Sequence, residues 1–304
     1  MRVEKVVGVY APTVTAFKSD ESIDEEGTRA FVRFLLNSGV HGLAPMGSAG
    51  EFCALSMEER KQIMEWTLEE VNGRVPVYAG TGHYSTRSTI DLCRHAMENG
   101  ATGLMIMPPY LLRPPKQDVL NHFRTIRQAI PLPIMVYNVP TLSGVEIFPQ
   151  EIASLAKEDV IHSVKWSHTD VARIQDTRLL CGPEFSVLVG IDLAAMTGLA
   201  CGADGYIGGM AMMAPRLARQ FYENMYRQRD LLSAQALWFR LLPLIQFEYE
   251  AFTKDSGDPH WLVICREVAL LRGISVGSPR LPMRPLCPQL RERLRRILVE
   301  LGEI

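Results

Sequence analysis

No two of the six cysteines (Cys53, Cys93, Cys181, Cys201, Cys265, Cys287) stand close enough to form a Cys-x-x-Cys pair. That argues against a disulfide framework and against a zinc knuckle. The seven histidines (His41, His83, His95, His122, His162, His168, His260) show no metal-ligand spacing, and no His-Glu-x-x-His occurs, so no metal is expected. A glycine-rich loop for a dinucleotide or a nucleoside triphosphate is missing too. Charge of one sign is lacking: 32 Lys+Arg face 34 Asp+Glu, a formal net charge of -2. Nothing there calls for a nucleic acid or a membrane surface as partner. The longest stretch free of Asp, Glu, Lys and Arg, Gln128 to Val145, contains Pro131, Pro133 and Pro140, and so cannot be one membrane-spanning helix. Arg2 and Lys5 followed by Val6–Phe17 could open a signal peptide. Pro12, Thr13 and Thr15 suit a β-strand better, and no small-residue cleavage site follows. These absences lead to an expected cytoplasmic protein with reduced, mostly buried thiols.

What is present is an ordinary globular composition over 304 residues, 47% apolar and 22% charged, which excludes disorder and collagen-like repeats. Short apolar runs alternate with longer amphipathic ones. The strand-like runs are Val9–Phe17, Gly42–Met46, Val77–Gly82, Gly103–Pro108, Ile134–Val139, Ile161–Trp166, Ser186–Ile191 and Gly205–Met210. Between them lie segments of helical spacing. In Met57–Val71 the residues Ile63, Met64, Leu68 and Val71 fall near a period of 3.6. Ser22 with Glu25 and Ser56 with Glu59 read as capping boxes that start two helices. Asn99-Gly100-Ala101 ends another. Eight strand–helix alternations imply right-handed parallel crossovers, and the eightfold count favours closure into a barrel over a doubly wound open sheet. The expected fold class is α/β, a (β/α)8 TIM barrel over residues 1–228. A three-helix C-terminal appendage is expected over residues 229–304. Leu217–Tyr226 would close the eighth unit. Leu231–Phe252, Trp261–Leu271 and Gln289–Leu301 would form the appendage. The last helix, with Arg291, Arg293, Arg295 and Arg296, reads as a solvated face rather than a nucleic-acid patch.

In such a barrel, reactive groups sit at the C-terminal ends of strands. Lysine is scarce, seven of the 32 basic residues, and only Lys165 ends an apolar strand, sharing a face with Ile161 and Ser163. An ammonium pointing into a barrel is costly unless paired or neutral. Burial favours the neutral amine, a nucleophile for Schiff-base chemistry. The competing reading is a lysine that snorkels outward or pairs with a carboxylate. Tyr137 ends the strand Ile134–Val136 one unit earlier, so it falls on the neighbouring strand at the same end. A phenol there either shuttles protons beside the amine or simply packs. After the second strand, Gly47-Ser48-Ala49-Gly50-Glu51 exposes backbone N–H groups suited to a carboxylate or phosphate. Glu51 reads as a cap or a structural partner ahead of an acid or base. Gly205, Gly208 and Gly209 near the eighth strand either cradle a phosphate or let a substrate approach the wall. His162 and Trp166 alternate to the face opposite Lys165 and read as packing residues.

These motifs, in this order and from Val9-Tyr10-Ala11-Pro12-Thr13-Val14-Thr15 to the C-terminal helices, resemble the dihydrodipicolinate synthase / N-acetylneuraminate lyase family of class I Schiff-base lyases. The resemblance implies a (β/α)8 barrel with added C-terminal helices, usually a homotetramer built as a dimer of dimers. It implies that Lys165 forms an imine with pyruvate or a related 2-oxo acid, with no metal or organic cofactor. Tyr137, in the Tyr-Asn-x-Pro motif, would relay protons. Ser48, with the Ser48 and Ala49 amides, would hold the carboxylate, beside Gly47 and Gly208. The sequence departs from the family at several places. Ala49 replaces the second of two adjacent hydroxyl residues. In Pro108-Pro109-Tyr110-Leu111-Leu112-Arg113-Pro114, Leu111 takes the place of the tyrosine a neighbouring subunit lends to the relay. Five residues after Tyr137, where the synthases carry an arginine for the second substrate's carboxylate, stands Leu142. Where the neuraminate lyases carry a glutamate for sugar hydroxyls, after Gly190-Ile191-Asp192, stands Leu193.

The expected function is therefore a Schiff-base-forming lyase or aldolase on a 2-oxo acid, with an acceptor half-site more apolar than in either relative. The alternatives are a 4-hydroxy-tetrahydrodipicolinate synthase with an altered second-substrate site, a non-catalytic homologue that binds a small acid, and a metal-dependent aldolase, which the missing ligand pattern disfavours.

Overall fold

A computed structural model describes residues 4–250 and 259–304. Arg2 and the end of the helix expected to reach Phe252 lie outside the described residues. Eight strands follow one another: β1 (Gly8–Pro12), β2 (Gly42–Ala44), β3 (Tyr78–Gly80), β4 (Gly103–Ile106), β5 (Ile134–Asn138), β6 (Ser163–Trp166), β7 (Ser186–Val189) and β8 (Gly205–Ile207). They pair in parallel in the order β2-β1-β8-β7-β6-β5-β4-β3. The two ends of that order meet: Leu43 bridges Val77 in parallel, and the Leu43 N–H donates to the Pro76 carbonyl at 3.0 Å. The sheet is a closed barrel of the (β/α)8 type.

Seven of the strands lie within their expected runs and are shorter, while β1 begins one residue earlier than expected, at Gly8. The first run was expected to reach Phe17, but pairing stops at Pro12. Beyond it the chain serves other contacts: the Thr15 hydroxyl donates to the Gly50 carbonyl at 2.7 Å, and the Phe17 N–H to the Val276 carbonyl at 3.1 Å.

The barrel helices are α1 (Glu25–Asn37), α2 (Met57–Val71), α3 (Thr86–Glu98), α4 (Lys116–Ala129), α5 (Pro149–Lys157), α6 (Ala172–Cys181), α7 (Ala195–Ala200) and α8 (Pro215–Tyr222). The Ser56–Glu59 capping box forms at the start of α2. The Ser22–Glu25 box does not form. The N-cap of α1 is Asp24, without a side-chain cap, and the Ser22 hydroxyl donates instead to Asp20 at 2.6 Å. A tight turn here competes for the same serine, and the turn wins because Phe17 and Ile23 bridge across it. Helix α8 starts two residues before the expected Leu217 and passes into a wider, π-type turn at Glu223–Gln228. Among the described residues three helices follow: α9 (Leu231–Glu248), α10 (Trp261–Leu271) and α11 (Pro288–Leu301).

Alternation along the strands separates two apolar clusters. One lies between barrel and helices. The other fills the barrel interior with Tyr10, Tyr78, Met105, Met135, Leu188 and Ile207. Tyr10 and Tyr78 meet edge to face, 5.9 Å between ring centroids, and form the floor. Glycine makes room for both rings: a Cβ on Gly42 would lie 2.2 Å from the Tyr10 ring, and one on Gly103 2.5 Å from that of Tyr78. The interior is therefore plugged from below and open only towards the C-terminal ends of the strands.

Candidate active site

Above this floor lies a cavity of about 220 Å³. Tyr137 and Lys165 pair directly across β5 and β6, so both side chains point inward at one height. The Lys165 ammonium nitrogen lies 3.9 Å from the centroid of the Tyr137 ring. Lys165 is 5% exposed, and no carboxylate forms an ion pair with it among the described residues. Snorkelling and carboxylate pairing, the two ways such a lysine could be inert, are thus both absent from this geometry.

Ser48 reaches the same place from β2. Its hydroxyl lies 3.0 Å from the Tyr137 hydroxyl. Gly47 caps a single 3-10 turn, Ser48–Gly50, whose first N–H groups have no partner within the turn. Ala49 lines the cavity with Ser48 and Gly47, and Gly208 lines it from the end of β8. A Cβ on Gly208 would sit 2.2 Å from the Tyr206 hydroxyl, which explains glycine there by packing as well as by approach to the cavity. All six expected site residues, Lys165, Tyr137, Ser48, Ala49, Gly47 and Gly208, thus border one space.

Glu51 is a structural residue. Its backbone is left-handed, φ 54°, and its carboxylate receives the buried Arg266 guanidinium and the Arg280 N–H at 3.3 Å. Trp166 faces outward and donates from its indole N–H to Thr177 at 3.1 Å. His162 on the same face meets the Ile134 N–H at 3.3 Å. Neither borders the cavity.

Several bordering residues escaped the sequence reading. Gly190, at the end of β7, gives the lysine its path: a Cβ there would lie 2.8 Å from Cγ and Cε of Lys165 and 2.1 Å from the Ser167 hydroxyl. Glu248, Tyr249 and Trp261 bring the C-terminal helices into the cavity wall. Glu248 had a legible signal, because it continues the buried stripe of Leu237, Leu241, Leu244 and Ile245 at helical spacing. Asp192 is fully enclosed and accepts from the Tyr206 hydroxyl, the Gly209 N–H at 2.9 Å, the Met210 N–H at 2.6 Å and the Tyr249 hydroxyl at 3.3 Å. Burial raises its carboxyl above the ordinary range, against the pull of those donors.

The arrangement offers an unpaired amine, a phenol against it and a hydroxyl on the phenol, in a small cavity closed at its base. That set suits covalent chemistry at a carbonyl carbon with proton transfer alongside.

Comparison with known proteins agrees. The model of the dihydrodipicolinate synthetase family matches residues 5–301. A 4-hydroxy-tetrahydrodipicolinate synthase of Nitrobacter hamburgensis is 34% identical over 298 residues, 98% of this chain and 97% of the relative. One of Methanopyrus kandleri is 35% identical over 300 residues, again 98% and 97%. Among solved structures, a prophage protein of the dihydrodipicolinic acid synthase family from E. coli K12, in complex with pyruvate, superposes with a TM-score of 0.90 at 30% identity, covering 98% of this chain and 99% of its own. Dihydrodipicolinate synthase from Thermotoga maritima gives 0.90 at 29% identity, covering 99% and 100%.

Proposed function

The chain belongs to the dihydrodipicolinate synthetase family, and from that premise we propose that it is a Schiff-base-forming lyase or aldolase acting on pyruvate or a related 2-oxo acid through Lys165. The observation that carries this reading is the buried, unpaired Lys165 nitrogen 3.9 Å over the Tyr137 ring. The amine adds to the keto carbon, and loss of water leaves an imine. The iminium draws electrons from the adjacent carbon, which loses a proton to become an enamine. The enamine adds to an aldehyde carbon, or forms when such a bond is cleaved. Water then returns the free amine. Tyr137 moves protons in these steps, with Ser48 hydrogen-bonded to its hydroxyl. The Ser48 hydroxyl and the Ser48 and Ala49 amides hold the carboxylate and so fix the keto carbon against the amine. No metal or organic cofactor takes part. An assembly as a dimer of dimers in the cytoplasm belongs to the same reading. Leu111, 81% exposed beside exposed Leu112, suits contact with a second copy. Among the described residues no helix is long and apolar enough to cross a membrane.

The names of the curated relatives favour a second reading, a 4-hydroxy-tetrahydrodipicolinate synthase with a rearranged second-substrate site. Leu142 borders the cavity where a carboxylate anchor would be needed. Arg113, packed against Gly144 in the next loop, would have to swing in to supply one.

Borohydride trapping tests the amine. Incubation with pyruvate and sodium borohydride should add a reduced three-carbon acid to Lys165, read by peptide mass spectrometry. Lys165→Ala should abolish it. An adduct on another lysine, or none, would sink the assignment.

A further inference from the structure

We propose that Glu248 is the polar anchor of the acceptor half of this cavity, and that the acceptor it holds is an uncharged aldehyde bearing a hydroxyl group. The inference rests on the Schiff-base reading above and adds the substrate class. Among the described residues two carboxyl groups border the cavity, Asp192 and Glu248, and their surroundings differ. Asp192 is saturated by two hydroxyl and two backbone N–H donors, which makes it a structural group. Glu248, 1% exposed, has only the Cys265 thiol, 3.9 Å from Oε1, and its Oε2 has no hydrogen-bond partner among the described residues. A buried polar oxygen without a partner calls for a ligand or water to complete it. Around it the cavity is lined by the apolar Leu142, Leu193, Met212 and Trp261 and by the uncharged hydroxyl residues Thr141, Thr169 and Tyr249.

The chemistry of the wall selects the ligand. Burial, with the charge of Asp192 second, pushes the Glu248 carboxyl well above the ordinary carboxylate range. A neutral carboxyl both donates and accepts, and a hydroxyl does the same, so the two match in either orientation. A second carboxylate on the acceptor would meet no matching charge among the described residues. Lys165 is the one cation bordering the cavity among the described residues, and its charge is gone in the neutral enamine that meets the acceptor. Two buried carboxyl groups face the incoming anion, and its desolvation goes uncompensated.

The test compares the full-length chain with Glu248→Gln and Glu248→Leu. Each is assayed with pyruvate and one of three aldehydes: D-glyceraldehyde, propanal or succinic semialdehyde. Borohydride trapping with pyruvate runs in parallel. The unaltered chain should prefer glyceraldehyde to both others by about tenfold or more in kcat/KM. Glu248→Leu should erase that preference, losing on glyceraldehyde while propanal stays within about threefold, and Glu248→Gln should keep it. Trapping should be unchanged in all three proteins. Preference for succinic semialdehyde, equal loss on glyceraldehyde and propanal in the Leu variant, equal damage by Gln and Leu, or no condensation with any aldehyde would each overturn the proposal while leaving the imine standing. Absence of trapping in the unaltered chain would remove the Schiff-base reading and this proposal together. If the Leu variant does not fold, the preference of the unaltered chain and the Gln variant decide the matter.

Discussion

A lysine amine performs at a carbonyl carbon only if its four-carbon stem can lie along the barrel wall, and at one place that wall is a missing side chain. Gly190 stands where a methyl group would collide with Cγ and Cε of Lys165 and with the Ser167 hydroxyl, whose own bond to the Gly190 carbonyl, 3.1 Å, pins it. Gly190→Ala should therefore force the stem off its path. The expected outcome is a borohydride-trapping rate at least about tenfold lower with an unchanged far-UV spectrum, because overpacking of one methyl costs on the order of 1–3 kcal/mol. Trapping at the original rate would show that the amine does not need this space. Lys165 and Tyr137 were legible in the sequence because a charged and a phenolic residue ending apolar strands stand out against their neighbours. Gly190 was not. Its requirement comes from a side chain on the adjacent strand, and a glycine at a strand end looks alike whatever lies beside it.

At the level of elements, periodicity carried far. The eight strands and the bounds of α2 follow from runs and spacing that packing demands locally. The failures are places where a contact outside the helical or strand period decides. Ser22 had two local hydrogen-bonding patterns open to it, and the Phe17–Ile23 bridge selected the turn. The Gly47–Glu51 loop owes its shape to α10: Arg266 bonds Glu51 and donates to the carbonyls of Thr15 and, at 2.6 Å, Val276. No local pattern in either segment announces that pairing. Arg266→Met should leave the Glu51 carboxylate buried with one weak backbone donor and cost about 3–5 kcal/mol of stability, measured by urea unfolding. It should also weaken pyruvate binding, since the Ser48 turn directly precedes Glu51. A variant as stable as the original would mean that water replaces the guanidinium and that α10 does not hold the loop.

The whole molecule is a barrel inside a helical shell, and the shell buries histidines. Burial lowers the affinity of His41, His83, His122, His162 and His260 for a proton. His122 is the extreme case, at about 4, with desolvation as the cause. It sits in α4 with Nδ1 2.8 Å from the Thr86 hydroxyl and Nε2 without a partner among the described residues. An unfolded histidine titrates near 6.5. Between that value and about 4 the unfolded chain binds a proton that the folded chain refuses, so stability is full above pH 6.5 and drains as pH falls. Asp192 and Glu248 act in the opposite sense, because their raised carboxyls hold protons in the folded state that the unfolded state releases. The net slope mixes both, but a variant isolates one group. His122→Gln keeps a polar side chain and removes the titration. From the two affinities, His122 alone accounts for about 2 kcal/mol of the stability lost between pH 7 and pH 5. Urea unfolding at these two pH values should show the loss smaller by about that amount in His122→Gln, whatever the variant's stability at pH 7. Parallel losses in the two proteins would mean that α4 opens to admit the proton without unfolding, and that the shell is less closed over this helix than its packing indicates.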